Sequence, residues 1–451
     1  MVANLKSGLS GCVVAFSLLF LITMLGCETN AEAMDHPAIP SGGAVQMQDF
    51  LGVNVAFQLY DSADYEKQIA ALQKLGVKWI RMGLHWFMLE PSPGKREYDK
   101  LDTIMAAVKN AGLKCVVNVV GPPAHQSAGG TTVDRPDQYP PADYAVYGDL
   151  LIDLAKRYPQ VTAWQIWNEP NLRMFWQPDD QPDEYSAMVK VVTDKLRKAV
   201  PDRTLVLGGM AYWSIMLKSE KLMLKEPSME NSFEWVDAVA YHPFLSTPYG
   251  DSDTNNPYNF ITTGLWLNDT LRNLGARQIW ATEWGWGSYK THKLNDELVN
   301  ETDQATFILQ RIALMMAMGY EKIFYFSIAD LPDLVPLPHR DMGLLDINGN
   351  PKPSYTALAR FLELFRGRLS PISPPSSDGI PKNVWQFAWQ SDSGKKLWII
   401  WADAVTSVKL TDISSPVVQH NPLSGEVKSL TPKDHALELS IGLAPLIFEL
   451  N

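Results

Sequence analysis

Two glutamates, Glu169 and Glu283, each stand at the end of an apolar run that is typical of a buried β-strand. Burying a carboxylate is costly unless the group is paired or used in chemistry. Glycoside hydrolysis requires two such groups, one that protonates the departing oxygen and one that attacks the sugar or activates water. Either glutamate alone is as often a salt-bridge partner, but two in matching positions with aromatic neighbours favour a catalytic pair.

The runs that carry these glutamates belong to a regular alternation of strands and helices from Phe50 to about residue 368. Eight strand–helix units in succession predict an α/β fold, a (β/α)8 TIM barrel over residues 49–368, rather than an open doubly wound sheet. No GxGxxG or Walker motif follows a strand, and Gly208-Gly209 is only a loose glycine pair, so we expect no nucleotide cofactor. The predicted strands are Leu51–Phe57, Val77–Gly83, Leu113–Val120, Val161–Asn168, Thr204–Gly208, Val236–Tyr241, Gln278–Glu283 and Lys322–Ser327.

In such a barrel, the side chains that act on a substrate gather at the C-terminal ends of the strands. Candidates there for substrate binding are Arg81, Trp86, His125, Asn168, His242, Trp284 and Trp286, with Trp176 and Trp213 as weaker ones. Other roles stay open: Arg81 as the neutraliser of a barrel carboxylate, His242 as a neutral core imidazole, and one tryptophan after Glu283 as a wedge against the barrel. Strict alternation also puts Asn168 and Glu169 on opposite faces, so both reach the site only if the strand ends or bulges there.

The pattern changes after Arg366, where short strands are separated by turn sequences such as Ser391–Gly394. This pattern predicts a small antiparallel β-sandwich domain over residues 369–451. Its role is either structural or that of an accessory sugar-binding surface.

Residues 1–27 have the character of an export signal, because Lys6 precedes an apolar run, Val13–Leu25, that is short for a membrane span. The run ends in Met24-Leu25-Gly26-Cys27, which is similar to a bacterial lipobox with Cys27 as the lipidated residue. A lipoprotein, a cleaved secretory protein and a retained anchor are all open. Residues 28–48 predict a linker. We expect an exported bacterial protein, periplasmic, membrane-anchored or secreted, that meets a membrane only through this N-terminus.

Composition narrows the remaining function classes. The formal net charge of −11 and the lack of a basic cluster argue against nucleic acid as a partner. Cys115 is the only cysteine of the folded body, so neither an internal disulfide nor a cysteine-based metal site is expected. The acidic residues after the last barrel strand lack the spacing of a calcium loop; they are Asp330, Asp333, Asp341 and Asp346. We expect no metal, no cofactor and a monomer.

Three motifs make a family resemblance specific. Trp167-Asn168-Glu169-Pro170 and Ala281-Thr282-Glu283-Trp284-Gly285 resemble the acid/base and nucleophile motifs of glycoside hydrolase clan A, whose barrels carry these groups on strands 4 and 7. The stretch Arg81 to Gly94, R-x4-W-x3-EP-x2-G, is similar to the strand 2 signature of the same clan. Within the clan, residues from about 50 onward look most like family 39, particularly the bacterial hydrolases encoded with Psl-type exopolysaccharide biosynthesis genes.

The resemblance implies roles for these residues. Glu169 would be the acid/base, with a pKa above that of a free glutamic acid, and Glu283 the nucleophile, kept charged by Arg81 and a donor from strand 6. Retention of configuration would place the two carboxyl groups about 5 to 5.5 Å apart. Asn168 would hold the sugar 2-hydroxyl. One departure is that Tyr325-Phe326-Ser327 stands where clan barrels often have a tryptophan beneath the bound sugar.

Three hypotheses for function follow, all with a polysaccharide or oligosaccharide as the partner. The first is an endo-acting retaining hydrolase of a bacterial exopolysaccharide. The second is an exo-β-xylosidase-like enzyme that acts on short oligosaccharides. The third is a polysaccharide-binding or assembly factor without turnover, which the presence of both carboxylates disfavours because a binding protein needs neither.

Overall fold

The computed structural model describes residues 36–40, 42–179, 181–212, 222–250, 256–294, 297–333, 335–336 and 338–450. The predicted export signal, the lipidation site Cys27, the first part of the predicted linker and Trp213 lie outside these residues. Among the helices within them, none combines the length and the apolar character that crossing a bilayer demands.

Eight parallel strands close into a barrel, so the predicted TIM-barrel fold is confirmed. The eighth strand pairs with both the seventh and the first, as Ile323 faces Ala281 on one side and Leu51 on the other. Strand 2 extends two residues beyond its predicted end, so His85 lies opposite Val120 of strand 3. Barrel strands 1 to 8 are Leu51–Val55, Trp79–His85, Lys114–Val120, Val161–Asn168, Thr204–Ala211, Val239–His242, Ile279–Trp284 and Lys322–Tyr325.

Two layers of side chains alternate along these strands. The first layer is an apolar cluster, separate from the main core, that includes Trp79, Val116, Ala163, Val206, Trp280 and Phe324. Two residues further along four strands stand polar side chains: Arg81, Asn118, Gln165 and Thr282. Because successive residues of a strand point to opposite faces, a spacing of two stacks the polar layer directly above the apolar one. The apolar layer fills the barrel and the polar layer lies toward the C-terminal strand ends.

Helices cover the outside of the barrel, and three of those described begin at a residue whose side chain caps the first turn. The side chains of Asp61, Asp143 and Asn300 each accept a hydrogen bond from a backbone N–H in the first helical turn. The α-helices are Met47–Phe50, Ser62–Leu75, Trp86–Leu89, Asp99–Asn110, Tyr144–Arg157, Pro182–Ala199, Pro227–Trp235, Asn259–Asn273, Glu301–Ala317 and Pro353–Leu364. Single 3-10 turns lie at Phe57–Leu59, Pro136–Gln138, Met223–Lys225 and His339–Asp341, and a short parallel pair joins Ser288–Tyr289 to Val299–Asn300.

The C-terminal region forms two packed antiparallel sheets. A core that includes Trp398, Ile400 and Phe448 separates a seven-stranded sheet from the pair Thr406–Leu410 and Leu437–Ile441. The seven strands lie in the order Val45–Gln46, Arg368–Ile372, Val384–Ser391, Lys396–Ala402, Leu446–Leu450, Val417–His420 and Val427–Leu430. The other face of this sheet packs on the barrel, where Trp389 meets Phe365 edge to face.

The end of the predicted linker is part of this domain. Val45–Gln46 pairs with Arg368–Leu369 and forms the edge of the large sheet. Further upstream, the His36 ring stacks on Trp385 at 3.8 Å. All four tryptophans of the domain, at 385, 389, 398 and 401, are buried. They are therefore not available to stack on a sugar, which favours the structural role over the sugar-binding one.

Candidate active site

The end of strand 4 departs from regular strand geometry, which decides where its two polar residues point. Trp167 and Glu169 have φ of 74° and 42°, in the left-handed region that non-glycine residues rarely adopt. Pairing with strand 5 passes from Ile166–Leu207 to Asn168–Gly209 across this distortion. The alternation is thereby broken, and Asn168 and Glu169 both reach the same site. Strained backbone of this kind clusters at active sites.

Arg81 on strand 2 forms hydrogen bonds with four other residues of the site. Its guanidinium is buried and donates to Gln165 Oε1 at 2.6 Å, Asn54 Oδ1 at 2.9 Å, Glu283 Oε1 at 2.5 Å and Asn168 Oδ1 at 2.7 Å. The ion pair places the positive charge of the Arg81 guanidinium directly against the Glu283 carboxylate. The bond to Asn168 leaves the amide NH2 of that residue to face a substrate, since its oxygen is already engaged.

Glu169 occupies a different electrical environment from Glu283. Burial raises the pKa of Glu169 to about 7, although the charges of His339 and Arg81 oppose the rise. Its Oε1 lies 2.8 Å from His242 Nδ1. Burial lowers the pKa of His242 to about 3, so this imidazole is neutral at physiological pH. A carboxyl group that keeps its proton near neutrality is suited to protonate a departing oxygen.

A hydrogen-bond chain holds the imidazole in place. Gln165 Nε2 donates to Thr282 Oγ1 at 3.0 Å, and Thr282 Oγ1 lies 2.9 Å from His242 Nε2. Because Gln165 also accepts from Arg81, the chain links the environment of Glu283 to that of Glu169. The two carboxylates are therefore positioned by one continuous polar network.

The carboxyl oxygens of Glu169 and Glu283 approach to within 4.8 Å, with a ring nitrogen of His242 within the same distance of both. Retaining glycosidases hold their carboxyl groups at about 5 to 5.5 Å, whereas inverting ones need about 6.5 to 9.5 Å to admit a water. The observed approach belongs to the first class. The same three residues have the spacing of a metal site, but the Arg81 guanidinium occupies Glu283 Oε1 and its charge opposes a cation there.

These groups open into a cavity of about 560 Å³ at the C-terminal ends of the strands. That volume lies in the ordinary range of ligand sites. Arg81, Asn168, Glu169 and Glu283 all line it. Its aromatic wall consists of Phe175, Phe244 and Phe326, the last two packed edge to face at 6.3 Å.

Comparison with known proteins identifies the family of this chain. The family described as cellulase (glycosyl hydrolase family 5) matches residues 41–325, well over half of the chain. The chain belongs to this family. Its fold and its family are those of clan A, as the sequence predicted.

The individual relatives share only a minor part of their sequence with this chain. A β-xylosidase of Caldicellulosiruptor saccharolyticus is 25% identical over 323 residues, which span 65% of this chain and 64% of that relative. The structure of a family 39 glycoside hydrolase from Bacteroides cellulosilyticus WH2 has a TM-score of 0.67 at 21% identity, over 90% of this chain and 81% of the other. A family 39 β-xylosidase from Caulobacter crescentus has a TM-score of 0.61 at 16% identity, over 91% and 98%. The two structures share the fold.

Five predicted substrate contacts of this glycosyl hydrolase family member do not line the cavity: Trp86, His125, His242, Trp284 and Trp286. Trp284 is fully buried and packs on Tyr325 at 5.2 Å, with Trp286 beside it at 6.2 Å. Since Glu283 faces the cavity, its neighbour on the strand points away, toward the helices. Trp284 and Trp286 therefore act as wedges against the barrel and do not form a surface on which a sugar stacks.

Trp86 and His125 instead form hydrogen bonds with another buried carboxylate, that of Glu90. Trp86 Nε1 donates to Glu90 Oε2 at 3.1 Å, and His125 Nε2 lies 3.3 Å from Glu90 Oε1. Burial by itself raises the pKa of Glu90, but hydrogen bonds from Trp86, the Gly94 N–H, His125 and Arg96 lower it to about 2. The group therefore fixes the loop after strand 2. The weaker candidate Trp176 is likewise fully buried.

His242 and Gly209 have roles that the sequence did not resolve. His242 has no exposed surface and lies under both carboxylates rather than on the cavity wall. An added Cβ at Gly209 would lie 1.9 Å from His242 Nε2, so only glycine leaves room for this ring. In the sequence Gly208-Gly209 is only a loose glycine pair, which does not indicate that it makes room for a ring from the next strand.

Phe326 fills the wall position after strand 8, where the clan often has a tryptophan, and Asn54 and Gln165 also escaped prediction. Neither polar residue has a motif of its own, and the sequence of the Asn54 region shows only a short apolar strand. Their part in the site follows from contacts with Arg81 on another strand. Only the closed barrel brings these residues together.

Proposed function

We propose that this protein is a retaining, endo-acting glycoside hydrolase of a β-linked bacterial exopolysaccharide, linked to the biosynthesis of that polymer. The observation that carries the proposal is the approach of Glu169 and Glu283 to within 4.8 Å in opposite electrical environments. One carboxyl is buried with a raised pKa, and the other is paired with a guanidinium. This division of labour is what double displacement requires.

The reaction proceeds in two balanced steps. In the first, a Glu283 oxygen bonds to the anomeric carbon as the glycosidic C–O bond breaks, and Glu169 gives its proton to the departing oxygen. Glu283 loses its charge in the ester, while Glu169 becomes a carboxylate. In the second, Glu169 takes a proton from water as that water attacks the anomeric carbon and releases Glu283. Configuration is retained because the sugar is inverted twice.

The Asn168 amide stands beside this centre and is fixed by Arg81. Its free N–H groups suit a hydroxyl on the carbon adjacent to the reacting one, where a hydrogen bond tightens as positive charge develops on the ring. Neutral His242 contacts the Glu169 carboxyl from the buried side and keeps that carboxyl oriented. Apart from the sugar and the attacking water, these steps use only side chains of this protein.

An exo-β-xylosidase is the second candidate, and the likeness to the β-xylosidase of Caldicellulosiruptor saccharolyticus supports it. Against it stands a further cavity, of about 600 Å³, that adjoins the first and shares Gln58 and His85 with it. An exo enzyme that removes single sugars needs a closed end on one side of the carboxylates. Adjoining cavities suit a chain that continues past the reacting sugar.

The deciding experiment is incubation with a panel of β-linked polysaccharides, mannose-rich exopolysaccharide and xylan among them, followed by sizing of the products. Fragments of intermediate length support the endo proposal, and release of monosaccharide alone replaces it with the exo candidate. Proton NMR of the first products reports the anomeric configuration, and an inverted product refutes the retaining mechanism. Binding without any product, in the wild type and in Glu283→Gln alike, would identify a non-catalytic binder.

We further propose that the chain is exported and held at a membrane by lipid on Cys27, with a monomeric barrel on the periplasmic side. The lipobox-like Met24–Cys27 sequence supports this placement. Metabolic labelling with a fatty-acid analogue tests it, with Cys27→Ser as the control variant. Label that persists in Cys27→Ser, or none in the wild type, leaves the cleaved and anchored forms.

A further inference from the structure

The loop that follows strand 6 connects the catalytic cavity to the C-terminal domain. It begins directly after His242, whose imidazole contacts the acid/base carboxyl. Phe244 lies on the wall of the cavity, and Tyr249, a few residues further along, contacts the β-sandwich. Residues 243–250 are called the strand 6 loop below. One short segment of chain therefore touches both the cavity and the second domain.

Two tryptophans of the sandwich hold the Tyr249 side chain. The Tyr249 hydroxyl accepts a hydrogen bond from Trp401 Nε1 at 2.7 Å. The Tyr249 ring lies parallel to the Trp385 ring, with 5.0 Å between the centroids and 6° between the planes. Burial and the charge of Asp403 raise the pKa of Tyr249 well above its ordinary value, so the hydroxyl keeps its proton. Stacking and a hydrogen bond together fix both the plane and the direction of this ring.

A second tyrosine and the N-terminal segment meet the same place. Asp403 accepts hydrogen bonds from Trp385 Nε1 at 3.2 Å and from the Tyr258 hydroxyl at 3.4 Å. His36 Nε2 lies 2.9 Å from Asp403 Oδ2, and the His36 ring stacks on Trp385 at 3.8 Å. Tyr258 meets the Trp385 ring edge to face at 5.6 Å. The group is called the aromatic clamp below and consists of His36, Tyr249, Tyr258, Trp385, Trp401 and Asp403.

The strand 6 loop is braced between its two ends. Thr247 closes a tight turn, because its N–H donates to the Gly250 carbonyl at 2.8 Å and its hydroxyl accepts from the Gly250 N–H at 3.2 Å. The buried guanidinium of Arg311 donates to the Pro243 carbonyl at 3.2 Å and to the Thr247 carbonyl at 2.8 Å. These bonds hold the loop on both sides of Phe244. The loop therefore moves as one body, and its outer end affects its inner end.

Phe244 is the residue through which the loop acts on the site. Its ring packs edge to face against Phe326 at 6.3 Å and against His339 at 5.7 Å, and both of these residues line the cavity after strand 8. Its backbone N–H donates to the His242 carbonyl at 3.0 Å. The position of Phe244 therefore sets the width of the cavity between its strand 6 side and its strand 8 side.

We propose that the β-sandwich, through the aromatic clamp, positions Phe244 and so sets the fit of the substrate, which makes Tyr249 a positioning residue although it does not line the cavity. This inference rests on the proposed catalytic role of the cavity. It goes beyond that role because it gives the second domain and His36 a part in substrate affinity. If the domain only adds stability, loss of any contact between sandwich and barrel lowers the free energy of unfolding and leaves KM unchanged.

The test compares clamp variants with a variant of another contact between sandwich and barrel. Tyr249→Leu removes the ring and the hydroxyl, Tyr249→Phe keeps the ring, and His36→Ala removes the contact of the N-terminal segment. Arg360→Met is the matched control. Arg360 donates to the carbonyls of Pro422 and Leu423 at 2.8 Å each, so it joins the last barrel helix, not the strand 6 loop, to the sandwich.

Amide hydrogen exchange reports on the loop directly and needs no substrate. We expect the exchange rate of a peptide covering residues 243–250 to rise at least about tenfold in Tyr249→Leu, because local opening becomes easier when the clamp is lost. Tyr249→Phe and His36→Ala should show smaller increases, and Arg360→Met should keep the wild-type rate. Unchanged exchange in both Tyr249→Leu and His36→Ala overturns the inference.

Steady-state kinetics on β-1,4-xylohexaose and β-1,4-mannohexaose test the effect on the substrate. We expect KM to rise at least about fivefold in Tyr249→Leu and less in Tyr249→Phe, since a small misplacement of a wall residue weakens the fit. The change in kcat should be smaller, because Glu169 and Glu283 keep their own contacts. Arg360→Met should lose stability in chemical denaturation with KM unchanged. An equal rise of KM in Arg360→Met, or none in Tyr249→Leu, refutes the positioning role.

Failure of the underlying function gives a different result. If the wild type hydrolyses neither hexasaccharide, the proposed function fails for these substrates, while hydrogen exchange still decides whether the clamp holds the loop. If the wild type hydrolyses one and the kinetics ignore the clamp, only the positioning role falls. Thermal unfolding identifies a variant that does not fold. In that case Tyr249→Phe and His36→Ala, which remove less of the clamp, carry the test.

Discussion

His242 Nδ1 lies 2.8 Å from Glu169 Oε1, so a buried neutral imidazole directly contacts the buried carboxyl that we propose as the proton donor. The contact joins two groups with opposite shifts, since burial raises the pKa of Glu169 to about 7 and lowers that of His242 to about 3. His242 is therefore neutral at pH 7, and Glu169 keeps its proton until the pH approaches 7. The imidazole fixes the acid without adding a positive charge that would lower its pKa.

The pH dependence of catalysis follows from this contact. Glu169 must be protonated to act as an acid, so kcat/KM on an unactivated oligosaccharide should fall as pH rises through about 7. A 2,4-dinitrophenyl glycoside needs little protonation of its leaving group, and its glycosylation rate should not show that limb. Initial rates between pH 4 and 9 on both substrates check this. Identical profiles for the two would remove the acid role from Glu169.

The nucleophile assignment has a chemical test. Glu283→Ala should abolish turnover because no carboxylate remains beside Arg81 to attack the sugar, and azide in the vacated space should restore reaction with a dinitrophenyl glycoside. The azide attacks from the Glu283 side, so the glycosyl azide should have inverted configuration. NMR of the product decides the matter, and a retained azide would move the nucleophile elsewhere. Glu426→Ala, on the exposed surface, is the control.

Gly209 should tolerate no side chain. The Cβ of Gly209→Ala would lie 1.9 Å from His242 Nε2, which forces the ring away from Thr282 and Glu169. We expect kcat to fall at least about a hundredfold, as for loss of a catalytic orienting group, and the alkaline limb of the pH profile to move. Gly43→Ala is the matched control. Normal kcat with an unmoved limb would show that His242 does not position the acid.

Substitution of Trp284 should change stability, whereas substitution of Phe326 should change substrate binding. Trp284 is fully buried outside the cavity, so Trp284→Phe should lower the free energy of unfolding by roughly 1 to 3 kcal/mol with little change in KM. Phe326 lines the cavity, so Phe326→Ala should raise KM on oligosaccharides. Chemical denaturation and steady-state kinetics on the two variants separate the roles. A raised KM in Trp284→Phe would restore the predicted platform.

The buried acid should also carry a cost in stability. The pKa of Glu169 is about 7 in the folded protein against an ordinary value of 4.5, so the folded state binds the proton more tightly. Its contribution is therefore full below pH 4.5 and is lost as pH rises through 7. Glu169→Gln cannot ionise, and should be more stable than the wild type by roughly 3 kcal/mol at pH 8 and by little at pH 4. A gain that is equal at both pH values would contradict the shifted pKa.

Part of this site was predictable because it depends on local patterns. The strand that precedes Glu169 and the strand that precedes Glu283 are short apolar runs, and the rule that barrel chemistry gathers at strand ends places both glutamates at one mouth. Arg81 and Asn168 follow from motifs at the same level. The strands themselves needed only small changes at their ends, such as the extension of strand 2 to His85.

The sequence by itself determined the barrel, the two carboxylates and the conflict between Asn168 and Glu169 on one strand. The tertiary structure alone decided how that conflict is resolved, by left-handed backbone at Trp167 and Glu169, and which partners surround the acids. His242, Thr282 and Gln165 come from three different strands, and their contacts depend on the closure of the barrel. The alternation of residue types along a strand indicates which face of that strand a side chain is on. It does not indicate which residues of other strands contact that side chain.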